Sequence, residues 1–454
     1  MGAGKTTLGV QVAERLERQF IDLDEAIEEG EGVPIAELFG RGDFRRLEET
    51  YAVRILETRP PMVVALGGGA VTSEVIRAGV RLHARTVLIT VDVEEAWRRV
   101  GGSDRPLARD HASFRALFDE RVPVYREVAE GAARDAADVV LAAAAVHVET
   151  GSHERLGDLV PGDGPVALVG DAHVAGIYGP AVQLALAPRL RSTHELPPGE
   201  EAKKVAICEQ LWHELGLDRG GTIVALGGGC ATDAAGFVAA TFLRGVPWVV
   251  VPTSLVGQVD AAVGGKTGIN LVHGKNLVGA FHWPARTVVD PAVLQTLPEQ
   301  ELAAGMAEAV KTGLLAGDHL WELPLPELVR RCAAFKAAVC LRDPFERGPR
   351  TTLNLGHTFA HALEAASGYA LPHGEAVALG LTAALRLSGM STEVVDDVLR
   401  PRPVRVDRDA AWAALKRDKK GERTYVLLEA PGRPVVTTLP DDEARRALDA
   451  LIEE

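Results

Sequence analysis

Two stretches written in nearly the same letters constrain this chain more than any other feature: VVALGGGAVT at 63–72 and IVALGGGCAT at 223–232. In each, a short run of apolar residues with no polar alternation stops at three glycines. Such a run reads as a strand buried on both faces, the habit of a parallel sheet covered by helices. The glycines let the backbone turn sharply at the strand end and come close to a ligand. The flanking residues do not match, so the two stretches are read as convergence and not as duplication of a domain.

The surroundings agree with a parallel α/β architecture. TVLITV (86–91) and DVVLAA (138–143) are strand-like, and TTLGVQVAERLERQF (6–20) has the apolar spacing of a helix. The alanine-rich stretch 131–147 reads as the last strand of one domain running almost directly into AVHVET, the first strand of another. A second α/β run follows with PVALVGD (165–171), GTIVALGGG (221–229) and VPWVVVPTS (246–254). Beyond about residue 298 the β pattern fades, and PEQELAAGMAEAVKTGLLAG (298–317) and GHTFAHALEAAS (356–367) read as helices. A chain of 454 residues is too long for one core. The expected domains are 1–145, 146–297 and 298–454.

A formal net charge of -14 argues against a nucleic-acid or membrane-surface partner, so an anionic ligand must be met by local Lys and Arg. Cys208, Cys230, Cys332 and Cys340 form no C-x-x-C pair, which excludes a disulfide framework or a cysteine-zinc knuckle. No apolar run approaches the ~20 residues of a membrane span. With no secretory signal, the expected location is the cytoplasm.

The first residues, MGAGKTTLGV, carry the second half of the phosphate-loop pattern G-x-x-x-x-G-K-[ST], with Gly2, Gly4, Lys5 and Thr6. The first loop glycine and the strand leading to it would lie before Met1, so an upstream start is expected. Asp22 and Asp24 follow the helix that the loop opens, and then come FRRLE (44–48), GGG (67–69), DRPL (104–107) and ERVPVYREVA (120–129). This ordered set (G-K-T, D-x-D, F-R-x-x-E, G-G-G, R-P-L, R-x-P-x-Y) resembles shikimate kinase across nearly all of 1–145. The resemblance implies a phosphate-loop kinase sheet lacking its first strand. It places ATP and Mg²⁺ on Gly2, Gly4, Lys5 and Thr6, with Asp22 assisting the metal. It places shikimate on Asp24, Arg45, Gly67, Gly68, Gly69 and Arg121, and Arg105 in a lid over the phosphates. GDFR is shorter than the family's G-E-x-x-F-R and the lid is short; above all, the missing strand leaves its sheet neighbours without a pairing partner, so kinase turnover by residues 1–454 is expected to be weak or absent.

The remainder concentrates chemistry further. GGGCATDAAGF (227–237) leads from a strand into a helix and carries Asp233, and the Gly-rich stretch 244–281 adds Lys266, Lys275 and Asn276. MAEAVK (306–311) sets Glu308 and Lys311 one helical turn apart. RTTLNLGHTFAHALE (350–364) carries His357 and His361 at i, i+4, and LPHGEAV (371–377) carries His373. Three histidines within 17 residues, in a chain with 13, together with a glutamate point to Zn²⁺ with an open position. Spacing alone would pair His357 with His361 as ligands.

These residues resemble 3-dehydroquinate synthase over 146–454. The resemblance implies a Rossmann-like α/β domain that binds NAD, followed by a mainly helical metal-binding domain. Zinc (or Co²⁺) falls on Glu308, His357 and His373, and His361 turns to the substrate. NAD falls on Glu200, Lys203, Gly228, Gly229, Asp233, Thr253, Ser254 and Thr296, with Lys275 near the nicotinamide. Asp260, Lys266, Asn276, Lys311, Lys336, Arg350 and Asn354 take the phosphate, hydroxyls and carboxylate of the substrate. Arg244 reaches a neighbouring subunit's site in a homodimer, and RDKK (417–420) is similar to a late lysine loop in which Lys419 or Lys420 faces inward. The region 385–410 is shorter than the family pattern.

The expectation is a bifunctional enzyme of aromatic precursor synthesis whose two activities are not consecutive. Three rivals differ from it. An aminocyclitol-forming sugar-phosphate cyclase has no need of Lys336 and Arg350 for a carboxylate. An iron-type alcohol dehydrogenase shares the glycine turn but not the Lys/Arg set. The third makes 1–145 a non-catalytic module.

Overall fold

The structure, a computed structural model, describes residues 2–101, 110–272, 274–417 and 424–453. The chain divides into two compact units, Met1–Ala145 and Val146–Glu454.

In the first unit Gly4 takes a left-handed conformation (φ 79°) and starts the helix Lys5–Leu16. Strand β1 (Phe20–Asp22) pairs in parallel with β2 (Val63–Ala65), and β3 (Val87–Ile89) pairs in parallel with β4 (Gly131–Ala133). Among the described residues these are two separate parallel pairs. Leu23 and Ile27, one turn apart on the helix Leu23–Glu31, pack with Phe44, Leu47, Ile76 and Val80 in the core. DVVLAA does not form a strand. It belongs to the helix Ala136–Ala143, in which Ala136, Ala137, Val140 and Leu141 are buried at helical spacing. Asp135 decides the matter, because its carboxylate accepts the Asp138 amide at 2.9 Å and caps the helix in a run rich in alanine.

The second unit is built on a six-stranded parallel sheet. Its strands are β5 (Val146–Val148), β6 (Val166–Asp171), β7 (Leu190–Leu196), β8 (Thr222–Gly227), β9 (Trp248–Pro252) and, after a hairpin, β12 (Arg286–Val289). The spatial order is β5-β12-β9-β8-β6-β7, and the hairpin is β10 (Lys266–Leu271) with β11 (Gly274–Phe281). Strands β6, β8 and β9 are buried at every position, as their unbroken apolar letters require. Alternate residues serve the two faces: Ala167, Val169, Ile223 and Ala225 enter one core cluster, and Leu168, Val224 and Leu226 enter the other. The chain runs from β6 out to β7 and returns across β6 to β8. The reversal puts a crevice at the carboxyl ends of β6 and β8, where the triple glycine lies.

Helices dominate after residue 298: Glu299–Ala316, Leu325–Arg342, His357–Ala366 and His373–Leu387 build one body. A second hairpin, β13 (Tyr425–Ala430) with β14 (Arg433–Thr437), packs among them. Residues 385–410 hold the end of His373–Leu387, the brief helix Glu393–Val398 and the start of the helix Arg408–Arg417. Among the described residues no helix is long and apolar enough to cross a membrane.

Candidate functional site

Three helices of the second unit bring Glu308, His357 and His373 together, with one ligand atom from each within 4.8 Å of the others. Glu308 lies inside Glu299–Ala316, whereas His357 and His373 are the first residues of their helices. Both histidines adjoin a glycine that permits close helix packing. A Cβ on Gly374 would sit 2.2 Å from Cα of Ala304, on the helix that carries Glu308. A Cβ on Gly356 would sit 2.8 Å from the amide of Leu381, and Gly356 has φ 77°.

Glu308 Oε1 lies 3.0 Å from Nε2 of His373 and 3.4 Å from Nε2 of His357. The Nδ1 of His357 donates to the carbonyl of Leu355 at 3.2 Å, which leaves Nε2 as the inward atom. His361 is edge-on to His357, with ring centroids 5.5 Å apart, and lies outside the three-residue cluster. The pairing of His357 with His361 that i, i+4 spacing favours is therefore not the one the fold makes.

The charges are strongly coupled. Burial pushes the Glu308 carboxyl up, but Lys311 and the two histidines outweigh it and hold the group well below the usual range. Burial lowers His357, and the nearby Glu308 only partly offsets it. Burial also opposes the charged form of His373, but hydrogen bonds to Glu308 and Glu364 raise that imidazole to about 10. Lys311 Nζ is 2.6 Å from Glu308 Oε2 and 3.8 Å from Asp260 Oδ1. Lys336 Nζ is 2.6 Å from the same Asp260 oxygen and donates to its backbone carbonyl. Asp260 sits in a π-type turn, Gly257–Ala261, a local irregularity often found at functional sites.

Arg350 is 1% exposed, and its guanidinium donates to the carbonyls of Gly264 at 2.9 Å and Pro344 at 3.1 Å. Lys266 pairs with Glu346 at 2.6 Å. Asn354 ends the short turn Pro349–Asn354, half-buried, two residues before the helix cap Gly356. Arg244 lies exposed on a loop where Leu243 and Arg244 both have positive φ (49° and 69°).

The cofactor-type residues gather at the switch point. Gly228 caps the helix Gly229–Thr241, whose amino end faces the crevice, and Gly228 lies beside Ser254. Thr253 and Ser254 are buried at the end of β9. Lys203 is buried and reaches Asp233 at 2.6 Å, and it also donates to Asn276. Asn276, which the resemblance places with the substrate, is thereby tied to Lys203. Glu200 binds Lys275 at 2.7 Å and accepts from Asn270 at 2.7 Å. Lys275 lies 4.6 Å over the ring of Tyr369. Thr296 shares a 2.7 Å hydrogen bond with Tyr178. Sequence reasoning did not single out Glu346, Asn270, Tyr178, Tyr369 or Glu364. Only Glu364 carried a local signal, lying two turns after His357 on one helix.

In the first unit Thr6 Oγ1 donates to Asp22 Oδ2 at 2.7 Å, which joins the two residues expected near Mg²⁺. Gly4 lines a cavity of about 650 Å³ with Thr7, Asp92, Arg99 and Arg134, and Arg99 donates to the Gly2 carbonyl at 3.2 Å. Lys5 opens the helix beside it. Gly67 faces the carboxylates of Asp24 and Glu48, and Gly69 lies beside the Arg121 guanidinium. The carbonyl of Gly68 accepts from Arg121 at 3.1 Å and from Tyr125. Burial and then Asp24 push the Glu48 carboxyl up to about 7, against Arg121 and Arg45. Arg105, Lys419 and Lys420 lie outside the described residues.

A switch-point crevice, a carboxylate–imidazole cluster and buried lysines in the second unit mark a cyclase-like catalytic domain. Residues 193–304 and 305–420 match the family models for the N-terminal and C-terminal parts of 3-dehydroquinate synthase, and residues 1–147 match shikimate kinase. The chain is 41% identical over 349 residues to the 3-dehydroquinate synthase of Symbiobacterium thermophilum, which covers 67% of this chain and 97% of that one. The chain belongs to the 3-dehydroquinate synthase family, as a fusion with a shikimate-kinase-like domain. Among solved structures it is similar to ValA, a 2-epi-5-epi-valiolone synthase from Streptomyces hygroscopicus with NAD⁺ and Zn²⁺ bound. That match has 26% identity and a TM-score of 0.61, and it covers 67% of this chain and 96% of the other. A 2-deoxy-scyllo-inosose synthase at 23% identity and TM-score 0.62 has the same fold.

Proposed function

We propose that the second unit converts 3-deoxy-D-arabino-heptulosonate 7-phosphate to 3-dehydroquinate with release of phosphate, using NAD and a divalent metal. The observation that carries this reading is the adjacency of the Glu308–His357–His373 cluster to the buried Lys311–Asp260–Lys336 chain. One carboxylate and two imidazoles suit Zn²⁺ or Co²⁺ with a position left for substrate. When bound, the metal supplies a Lewis acid for a ring hydroxyl, and NAD⁺ supplies a reversible hydride acceptor.

The protein's own part is positioning and charge. Lys311 and Lys336, fixed through Asp260, present ammonium groups to substrate oxygens in a site shielded from water. Lys336 and Arg350 read the carboxylate, and His361 stands beside the metal group to face the substrate. Lys266, Asn276 and Asn354 complete the substrate set. Glu200, Lys203, Asp233, Thr253, Ser254 and Thr296 line the NAD crevice with Gly228 and Gly229, and Lys275 lies toward the nicotinamide. Arg244 of a second copy completes the site in a homodimer, in the cytoplasm. Phosphate release from the seven-carbon substrate, followed with and without a chelator and with and without NAD⁺, tests this reading. Full turnover after complete metal removal would exclude it.

The same reading gives the first unit ATP- and Mg²⁺-dependent phosphorylation of shikimate. The Thr6–Asp22 contact and the convergence of Asp24, Gly67, Gly68 and Arg121 support it. ATP-dependent formation of shikimate 3-phosphate by the purified chain is the assay. Shikimate binding without turnover would make the unit a binding module.

A further inference from the structure

Both imidazoles that face Glu308 are held from behind by an oxygen. For His357 the oxygen is a backbone carbonyl. For His373 it is a carboxylate, Glu364 Oε1, 3.3 Å from Nδ1. Glu364 lies two turns after His357 on the helix His357–Ala366, and its side chain is only 10% exposed. Glutamate is almost never buried without a partner.

The residue also holds the segment that delivers His373. Its backbone carbonyl accepts from the amide of Tyr369 at 2.7 Å and from the hydroxyl of Ser367 at 2.8 Å. Ser367 in turn accepts from the amide of Leu371 at 3.1 Å. The turn 367–372 is thereby folded back onto Glu364, and His373 emerges from it next to the carboxylate.

We infer that Glu364 is a positioning residue of the metal centre, acting through His373. The inference rests on reading Glu308, His357 and His373 as the ligand set. An imidazole that ligates through Nε2 carries its proton on Nδ1, and a carboxylate accepting from that N–H fixes the tautomer, the ring plane and the basicity of the ligating nitrogen. Glu364 faces the ring nitrogen opposite Glu308, so it meets the ring from the far side and is not a fourth ligand. The centre therefore has two carboxylates with separate tasks. Glu308 supplies charge to the metal, and Glu364 sets the strength and direction of His373.

The test uses the full chain as wild type, Glu364→Gln, Glu364→Ala and His373→Ala. Zinc affinity is read by competition with a chromophoric chelator, ligand geometry by the visible spectrum of the Co²⁺ form, and the tautomer by ¹⁵N shifts of His373. Removing such a partner costs roughly 10- to 100-fold in metal affinity, and that loss is expected for Glu364→Ala with an altered cobalt spectrum. Glu364→Gln keeps an acceptor oxygen, so a smaller loss and a shifted Nδ1 resonance are expected. If Glu364→Ala does not fold, as judged by melting before metal is added, Glu364→Gln alone decides. Wild-type affinity, cobalt spectrum and ¹⁵N shifts in Glu364→Gln would overturn the inference while His373→Ala still loses zinc and upholds the ligand set. Undiminished zinc binding by His373→Ala would overturn the ligand set, and this inference with it.

Discussion

Replacing Lys311 by methionine tests the electrostatics of the site, because most of the unbranched apolar stem is kept while the ammonium is lost. Lys311 is 2% exposed and Glu308 1% exposed, so neither can be rescued by water. Breaking a buried pair by removing one partner costs about 3–5 kcal/mol, since the remaining charge is left uncompensated. Two features place this case at the lower end. Asp260 keeps Lys336 at 2.6 Å, and Glu308 keeps His373 at 3.0 Å and His357 at 3.4 Å. The expected loss is therefore about 3 kcal/mol in the presence of a chelator. With a urea slope of about 3 kcal/mol/M, that shifts the unfolding midpoint of the second unit by about 1 M. Zinc then acts to different extents on the two proteins. In wild type the cation must share Glu308 with an ammonium 2.6 Å from Oε2, whereas in the variant it replaces the missing charge. Zinc is expected to raise the midpoint of Lys311→Met by more than that of wild type. Tryptophan fluorescence during urea unfolding reports it, since Trp212, Trp248, Trp283, Trp321 and Trp412 all lie in the second unit. Equal stability of the two proteins in chelator, or equal recovery with zinc, would refute the argument.

His361→Ala is expected to keep its zinc and lose turnover, as metal analysis beside phosphate release will show; loss of zinc would make His361 a ligand. Arg350→Lys cannot reproduce both carbonyl contacts of the guanidinium. It should lower kcat/KM and leave NAD⁺ affinity unchanged by titration, and a full kcat/KM would remove the carboxylate assignment. In the first unit the folded Glu48 carboxyl lies at about 7 against an ordinary 4.5. Its contribution to stability is thus fully present below 4.5 and lost as pH rises through 7. The full shift corresponds to about 3 kcal/mol, and discounting it for the group's incomplete burial brings it to about 1–2 kcal/mol. Glu48→Gln should therefore match wild type near pH 4 and exceed it by that amount at pH 8 in denaturant unfolding, and a pH-independent difference would count against it.

What could be read from the letters divides along a physical line. The strand ending in the second triple glycine was legible because the requirement is local, and β8 is buried throughout and ends at Gly227 as its letters demand, whereas β2 spans only Val63–Ala65 with Val63 and Val64 half-buried. DVVLAA was not, because a six-residue apolar run fits a strand or a buried helix equally. The deciding feature was Asp135, one residue before the run of alanines, which caps a helix and does nothing for a strand. The order of the six strands depends on pairings between distant segments, and no local pattern encodes it. The metal cluster lies between these cases. Its residue types stood out in the sequence, but spacing favoured His361 over His373, since i, i+4 describes neighbours on one helix only. Three helices supply the three residues, so what matters is how closely those helices approach. That information was present in a form that composition conceals. Gly356 precedes His357 and Gly374 follows His373, and in each case a Cβ would strike the backbone of the neighbouring helix. His361 has no glycine beside it in TFAHAL. A histidine adjoining a glycine that packs one helix against another is held at the seam where side chains from different helices meet. Of His361 and His373, the one that spacing passed over lies at the seam and meets Glu308.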